Sequence, residues 1–255
     1  MRGTVIVILV FGSIVCASGS APVSRQAVPV LVELFTSEGC SSCPSADRLF
    51  EQMLAAQPVS GSLIVGLGEH VDYWDRLGWK DRFSSPLFTS RQQLYADRLK
   101  LDSVYTPQMV VDGQAAFVGS DAAAARRAIA AAAGRPHGTI TVTSGLAEPD
   151  RAVVSLTVGE LPPLAPGDRA DVLVAITEDH LRTEVKRGEN QGRTLSHAVV
   201  VRELQTGAGA TIGATVQLEL KLAGEWRREA LTIIGCVQER RSRRILATAA
   251  KRFGQ

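Results

Sequence analysis

The sequence predicts an α/β domain followed by an all-β, sandwich-like domain. In the first half, apolar runs of strand length alternate with segments of helical periodicity. Beyond the Gly- and Pro-containing stretch at 134–138, seven strand-like segments follow one another without a helical pattern between them. We therefore expect the first domain at residues 28–134 and the second at residues 138–252.

The elements of the first half follow from apolar periodicity and from helix start and turn signals. Pro44 suits the first turn of a helix, where its missing N–H removes no hydrogen bond. The Asp112-Gly113 pair between apolar segments predicts a hairpin, and a last helix is expected from a Ser120 cap to a Gly134 stop. The other predicted elements are buried strands at Val28–Phe35 and Ser62–Glu69, and helices at Pro44–Gln57 and Ser85–Lys100.

The N-terminus has the pattern of a cleaved secretory signal. A positive start, Met1-Arg2, is followed by an apolar run of about twelve residues and then by small residues. That run is shorter than the roughly 20 residues needed to span a bilayer. We therefore expect residues 1–21 to be a signal peptide, a periplasmic or secreted location, and no stable membrane anchor after cleavage.

Composition excludes several classes of function. The formal net charge is +2, with 45% hydrophobic and 21% charged residues, which fits a globular chain and gives no reason to expect a nucleic-acid partner. No phosphate loop or dinucleotide fingerprint is present. Ser, His and Asp occur without the Gly-x-Ser-x-Gly elbow, which argues against hydrolase chemistry.

The Cys-x-x-Cys motif, Cys40 and Cys43, stands between a predicted strand and a predicted helix. The positive N-terminal end of a helix favours a thiolate over a thiol, and thiolate is the attacking species in disulfide exchange. Cys40 is then the attacking cysteine and Cys43 the resolving one. In an exported chain this pair is also expected to form a disulfide.

The residues themselves leave two alternatives to exchange open. One is a structural disulfide in a non-catalytic binding module. The other is a periplasmic copper- or zinc-handling protein that uses both cysteines with His70, a donor set suited to copper(I) or zinc. Exchange itself needs no cofactor, because the cysteine pair carries the electrons.

A second motif, Thr106-Pro107, stands just before the predicted strand of the hairpin. With Cys40 and Cys43 it resembles the thioredoxin superfamily. Five stretches narrow the resemblance to secreted bacterial thioredoxin-like proteins of undefined function: VELFTSEGCSSCPSAD, GEHVDYWDRLGWKDRFSS, RQQLYA, VYTPQMVVDG and GENQGRTLSHAVVVREL. The resemblance implies a thioredoxin-like domain before the β domain. It also implies a cis Pro107 that, with Thr106, holds an extended substrate strand.

A polar and aromatic loop, Glu69–Asp81, follows the second predicted strand, at the strand end where α/β proteins usually bind ligands. We expect it to form a wall near the sulfurs, in which His70 moves protons or stabilises the Cys40 thiolate. A packed structural loop remains the alternative. The candidate substrate-binding residues of this loop are His70, Asp72, Tyr73, Trp74 and Trp79.

Two features of the second half have simple structural interpretations. The charged stretch Glu178–His197 is predicted to be a solvated loop between two strands, with a docking turn as the alternative, and Asn190 and Arg193 are the residues to test there. Cys236 is predicted to be a buried free cysteine within a strand.

The sequence thus favours an exported thiol–disulfide exchange protein. Its expected partners are a protein or small thiol or disulfide substrate and a redox partner protein.

Overall fold

The computed structural model describes residues 27–207 and 209–254. Within these residues, eleven strands form three sheets and are accompanied by three α-helices. The elements of the first half are β1 (Val28–Thr36), α1 (Cys43–Ala56), β2 (Ser62–His70), α2 (Pro86–Leu99), β3 (Gln108–Val111), β4 (Ala115–Val118) and α3 (Ala122–Ala133). Those of the second half are β5 (Ile140–Glu148), β6 (Arg151–Val158), β7 (Ala170–Glu184), β8 (Thr194–Gly207), β9 (Thr215–Lys221), β10 (Leu231–Glu239) and β11 (Ile245–Arg252).

The first sheet has the order β2-β1-β3-β4. β1 and β2 run parallel, with Thr36 opposite His70, so both strands end at the same edge of the sheet. β3 pairs antiparallel to β1 on the other side. The loops that follow β1 and β2 are therefore neighbours, and they carry the cysteine pair and the polar–aromatic loop.

The second half forms two sheets, of order β11-β10-β7-β8 and β5-β6-β9. The four-stranded sheet is apolar on both faces. Along β7, Val172, Val174 and Ile176 pack toward β5 and β6. The alternate residues Leu173 and Ala175 pack toward the first sheet and α2. This sheet is therefore the middle layer of the molecule.

Helices α1 and α3 cover the remaining face of the first sheet. Phe50 and Met53 of α1 and Ile129 of α3 pack with β1, β2 and β3. The layers are therefore stacked in the order α1 and α3, first sheet, middle sheet and β5-β6-β9 sheet.

The first and middle sheets approach each other closely at Gly68 of β2. A Cβ atom at this position would lie 2.1 Å from the carbonyl oxygen of Val199 in β8. Since no side chain fits at that distance, glycine is what allows β2 and β8 to meet here.

The predicted fold class, a thioredoxin-like α/β domain followed by an all-β sandwich, is wrong. Strands hold 42% of the structure and helices 19%, and one face of the first sheet packs on the middle sheet where an α/β fold would place helices. The middle sheet, in turn, is covered on both faces. The physical reason is that the apolar run Val172–Ile176 buries both of its faces, whereas an outer sandwich strand alternates apolar and polar residues.

A buried polar network joins the first sheet, α2 and β10. The Arg91 guanidinium lies 2.6 Å from Glu33 and 3.4 Å from Glu69, and it donates to Tyr95 and to Gln238. Burial, with the neighbouring Glu33 carboxylate, raises the pKa of Glu69 well above its usual value. One arginine thus faces two buried carboxyl groups between the layers.

No helix among the described residues is both long enough and apolar enough to cross a membrane. The predicted signal peptide, residues 1–21, lies outside the described residues. The boundaries 28–134 and 138–252 stay a prediction.

Candidate functional site

The candidate site is built around Cys40 and Cys43, which form the expected disulfide with their Cα atoms 5.4 Å apart. Cys43 is the first residue of α1, and its N–H donates to the carbonyl of Cys40. The N-cap residue, Ser42, makes no capping hydrogen bond with its side chain, and the first turn holds no acidic residue. The positive end of α1 is therefore available to the sulfurs.

Both cysteines are 0% exposed, although Ser41 and Ser42 between them are exposed. A segment from the second half of the chain lies against this loop. β7 and β8 form a long hairpin, and the segment that joins them, Val185–Arg193, lies over the cysteine loop. We call Val185–Arg193 the tip segment.

Asn190 fixes the tip segment to the cysteine loop. Its buried side-chain amide donates two hydrogen bonds of 2.9 Å, to the main-chain carbonyls of Glu38 and Cys40. Its oxygen accepts from Arg193. The neighbouring Glu189 carboxylate accepts from the main-chain N–H of Ser41. The prediction of a solvated loop at Glu178–His197 is therefore wrong for this part, because Asn190 is fully buried.

The tip segment also packs on the loop after β2. A Cβ atom at Gly188 would lie 3.1 Å from the Cβ of Trp79. The indole N–H of Trp79 donates to Glu38 at 2.8 Å. Trp74 of the same loop lies against Gly39, next to Cys40.

The remaining candidates of the loop after β2 separate into two groups. Asp72 and Tyr73 are bonded to α2, through Thr89 and Gln92. His70 turns inward, where Asp81 lies 2.7 Å from its Nδ1. The structure thus brings Trp74, Trp79 and His70 toward the cysteine loop, whereas Asp72 and Tyr73 hold the loop to α2.

Beneath the cysteine loop lies a buried cluster of titratable groups, which we define as Glu38, Asp47, His70, Asp81 and His197. His197 of β8 lies 3.3 Å from Glu38 and 4.0 Å from Asp47. Its ring packs edge-on to that of His70, with centroids 4.8 Å apart. Neither nitrogen of His197 makes a hydrogen bond to any described residue.

A small cavity of about 10 Å³ opens inside this cluster, lined by Thr36, Asp47, His70 and His197 among others. That volume suits about one water molecule. Thr36 donates to Asp47 at 3.1 Å.

Burial and mutual charge shift the pKa values within the cluster. Burial raises the pKa of Asp47, against the opposing effect of His197, His70 and Thr36. Burial alone lowers the pKa of His70, but the charge and hydrogen bond of Asp81 raise it overall. Burial likewise raises the pKa of Asp81, and the charge and hydrogen bond of His70 outweigh it, so that this pKa lies below its usual value.

The Thr106–Pro107 peptide bond is cis, as predicted. The hydroxyl of Thr106 accepts from the indole N–H of Trp74 at 2.7 Å. Pro107 is buried, and Gly119 lies between it and Ala46 of α1. Pro107 thus borders the first turn of α1.

Cys236 is a free, buried cysteine of β10, as predicted. Burial raises the pKa of its thiol to about 12, which disfavours the thiolate at neutral pH. Across residues 27–207 and 209–254, no three His, Cys, Asp or Glu side chains are placed to hold a metal ion. The copper or zinc alternative therefore gains no support from the described residues.

Sequence reasoning missed most of the buried cluster. Asp47 carries the clearest signal, because it follows Cys43 by four residues on a predicted helix and so shares its face. His197 of the cluster and Glu189 of the tip segment lie far along the chain, and nothing in the local pattern links either residue to the cysteine pair.

The fold and the site together define a mainly β protein in which a Cys-x-x-Cys disulfide at a helix N-terminus is closed over by a hairpin from the other half of the chain. The chain belongs to DUF1223, a family of proteins of unknown function, whose pattern matches residues 31–238. The match includes the cysteine pair, the buried cluster and the tip segment.

A solved structure supports the same overall arrangement. The chain is similar to protein AGR_C_4864 from Agrobacterium tumefaciens, with 28% identity and a TM-score of 0.63, over 91% of this chain and 97% of that one. A domain of the outer membrane lipoprotein Omp28 from Porphyromonas gingivalis matches at 11% identity and a TM-score of 0.33, over 47% of this chain and 97% of that one, which is too low to carry an argument. No curated protein matches the chain.

Proposed function

We propose that this protein is an exported thiol–disulfide exchange protein whose reacting pair is Cys40 and Cys43. The observation that carries the proposal is the position of the pair at the uncapped N-terminus of α1. Free N–H groups and the helix dipole stabilise a thiolate there, so that more of the cysteine is present as the attacking thiolate at neutral pH and the sulfur is a better leaving group.

The exchange step balances without a cofactor. In the reducing direction, the Cys40 thiolate attacks a substrate disulfide, forming a mixed disulfide and releasing one substrate thiolate. Cys43 then loses its proton and attacks Cys40; the Cys40–Cys43 bond forms, the bond to the substrate breaks, and the second substrate thiolate leaves. The protein pair is oxidised by two electrons and the substrate is reduced by two. The oxidising direction is the reverse.

The buried cluster offers an acceptor for the proton that Cys43 loses. Asp47 lies four residues after Cys43 on α1, which places the two side chains on one face, about 5–6 Å apart between Cβ atoms. Burial raises the pKa of Asp47 above its usual value, which makes its carboxylate a stronger base for this proton.

Trapping of mixed disulfides tests the proposal. Cys43→Ser removes the resolving thiol, so we expect this variant to accumulate disulfide-linked partners through Cys40, in cells and with small disulfides in vitro. Cys43→Ser combined with Cys40→Ser is the matched control and should trap nothing. Failure of the single variant to trap any thiol partner would count against exchange.

A structural disulfide in a non-catalytic binding protein is the second candidate, and the complete burial of both cysteines favours it. The reduction potential of the pair separates the two. A value between about −120 and −270 mV is expected for an exchanging pair, and its position in that range indicates the direction of electron flow. A value below about −300 mV would instead mean a static crosslink.

A further inference from the structure

The tip segment forms hydrogen bonds with main-chain groups that an incoming polypeptide would need for its own hydrogen bonds. The carbonyls of Glu38 and Cys40 and the N–H of Ser41 belong to the loop that carries the first reacting cysteine. In the closed structure, the Asn190 amide pairs with both carbonyls and the Glu189 carboxylate pairs with the N–H. An Asn side chain ends in an amide, so its N–H groups are chemically those of a peptide bond.

The tip segment is also held together by its own main-chain hydrogen bonds. Its ends are tied by main-chain hydrogen bonds from Val185 to Arg193 and from Gly192 to Val185, and two further bonds close the turn inside it. Opening therefore does not require the segment to unfold. The described hydrogen bonds that hold it to the cysteine loop come from two side chains, Glu189 and Asn190, and the packing contact comes from Gly188 on Trp79.

From this arrangement we infer that the tip segment is a built-in substitute for substrate, and that the substrate of the site is an extended polypeptide. Such a chain displaces Glu189 and Asn190, and its own peptide groups pair with Glu38, Cys40 and Ser41. Displacement simultaneously uncovers the two sulfurs. The inference rests on the proposed exchange function for its chemistry, but the binding step does not require exchange.

The charges near the tip segment fit a substrate that is recognised through its main chain better than one that is recognised through a particular charged side chain. Lys186, Arg187 and Arg193 on the segment are offset by Glu184 beside it and by Glu189. Because these charges are mixed in sign, they give no preference for an acidic or a basic substrate. Recognition through main-chain groups is accordingly expected to be tolerant of sequence.

The test weakens the closed state and measures two independent consequences. Asn190→Ala removes both donors to the cysteine loop, and Gln191→Ala is the matched control, since Gln191 is exposed on the same segment. The probes are dithiothreitol, as a small reductant of the disulfide, and fluorescently labelled, reduced and carboxamidomethylated ribonuclease A, as an unfolded polypeptide that cannot exchange. Cys236→Ala is present in all variants.

We expect Asn190→Ala to speed reduction by dithiothreitol and to tighten binding of the unfolded polypeptide, each by about 10- to 1000-fold. That range corresponds to losing the two hydrogen bonds that Asn190 makes to the cysteine loop, since each loss leaves a carbonyl oxygen of the closed state without its partner. Gln191→Ala should change neither by more than about threefold. Thermal unfolding of each variant verifies that it is folded, and Asn190→Asp, which keeps the shape but loses both donors, serves if Asn190→Ala does not fold.

Faster reduction without tighter polypeptide binding would overturn the inference, because the segment would then be a cover only. Unchanged reduction and binding would also overturn it. Tighter binding in a protein whose cysteines trap no partner would leave the inference standing and refute the exchange function.

Discussion

Substitution of Arg91 tests how strongly the buried polar network stabilises the contact between the two halves of the chain. Its guanidinium is buried between the first sheet, α2 and β10, and it contacts Glu33, Tyr95 and Gln238 at 2.6–3.0 Å. The net effect of Glu33, Tyr95 and Glu69 is to raise the pKa of Arg91 well above its usual value, although burial opposes them. Arg91→Met keeps the apolar length of the side chain and removes its charge.

The expected loss of stability follows from the charge that stays behind. Removing one partner of a buried ion pair costs about 3–5 kcal/mol, since the other charge remains without compensation. For a protein of this size, about 2–4 °C of Tm is lost for each kcal/mol. Arg91→Met should therefore unfold about 6–20 °C below the native protein.

Thermal and urea unfolding measure this loss, with Arg126→Ala on the exposed face of α3 as the control. The control is expected to change the free energy of unfolding by less than about 0.5 kcal/mol. Adding Glu33→Gln to Arg91→Met removes the stranded charge and should recover at least about 1 kcal/mol. The reasoning fails if Arg91→Met is as mild as the control, or if the second substitution recovers nothing.

Three further predictions concern the backbone and the buried cluster. Asp121→Ala removes the side chain that caps α3 and should cost about 1 kcal/mol by urea unfolding; a neutral result would mean that the cap adds nothing. Gly68→Ala should cost about 1–3 kcal/mol or more, because its Cβ would meet the Val199 carbonyl, and an unchanged Tm would contradict the close approach. His70 binds its proton more tightly in the folded protein than in the unfolded chain, where its pKa is about 6.5. Its contribution to the free energy of unfolding is therefore complete below that pH and is lost as pH rises through the higher pKa of the folded state. Unfolding between about pH 6 and 9 should show this fall in stability, and His70→Gln should flatten it; a slope that persists in the variant would assign it to another group.

Local structure could be predicted from the sequence because local signals decide it. The hairpin at Asp112-Gly113 forms as expected, with positive φ at both residues, and α1 begins within one residue of the position that Pro44 indicates. The N-cap of α3 lies one residue after the predicted position. Asp121, rather than Ser120, accepts from the first helical N–H groups, because its carboxylate reaches two of them at once.

The arrangement of the layers could not be predicted in the same way, since it depends on which faces meet. The apolar run Val172–Ile176 carried a usable signal, because a strand without polar alternation is buried on both faces. The pairing of Asn190 with Glu38 and Cys40, across 150 residues from Cys40, had no local signal at all. The cysteine pair was therefore predictable, whereas its cover and the cluster beneath it were not.

The hairpin that covers the cysteines also determines when they are accessible during biosynthesis. Asn190 is made 150 residues after Cys40. At about 5–20 residues per second, the two thiols emerge about 8–30 s before the tip segment that will enclose them. A nascent chain therefore carries Cys40 and Cys43 without the tip segment, and the two cysteines are enclosed only after residues 185–193 have been made and have docked on the cysteine loop.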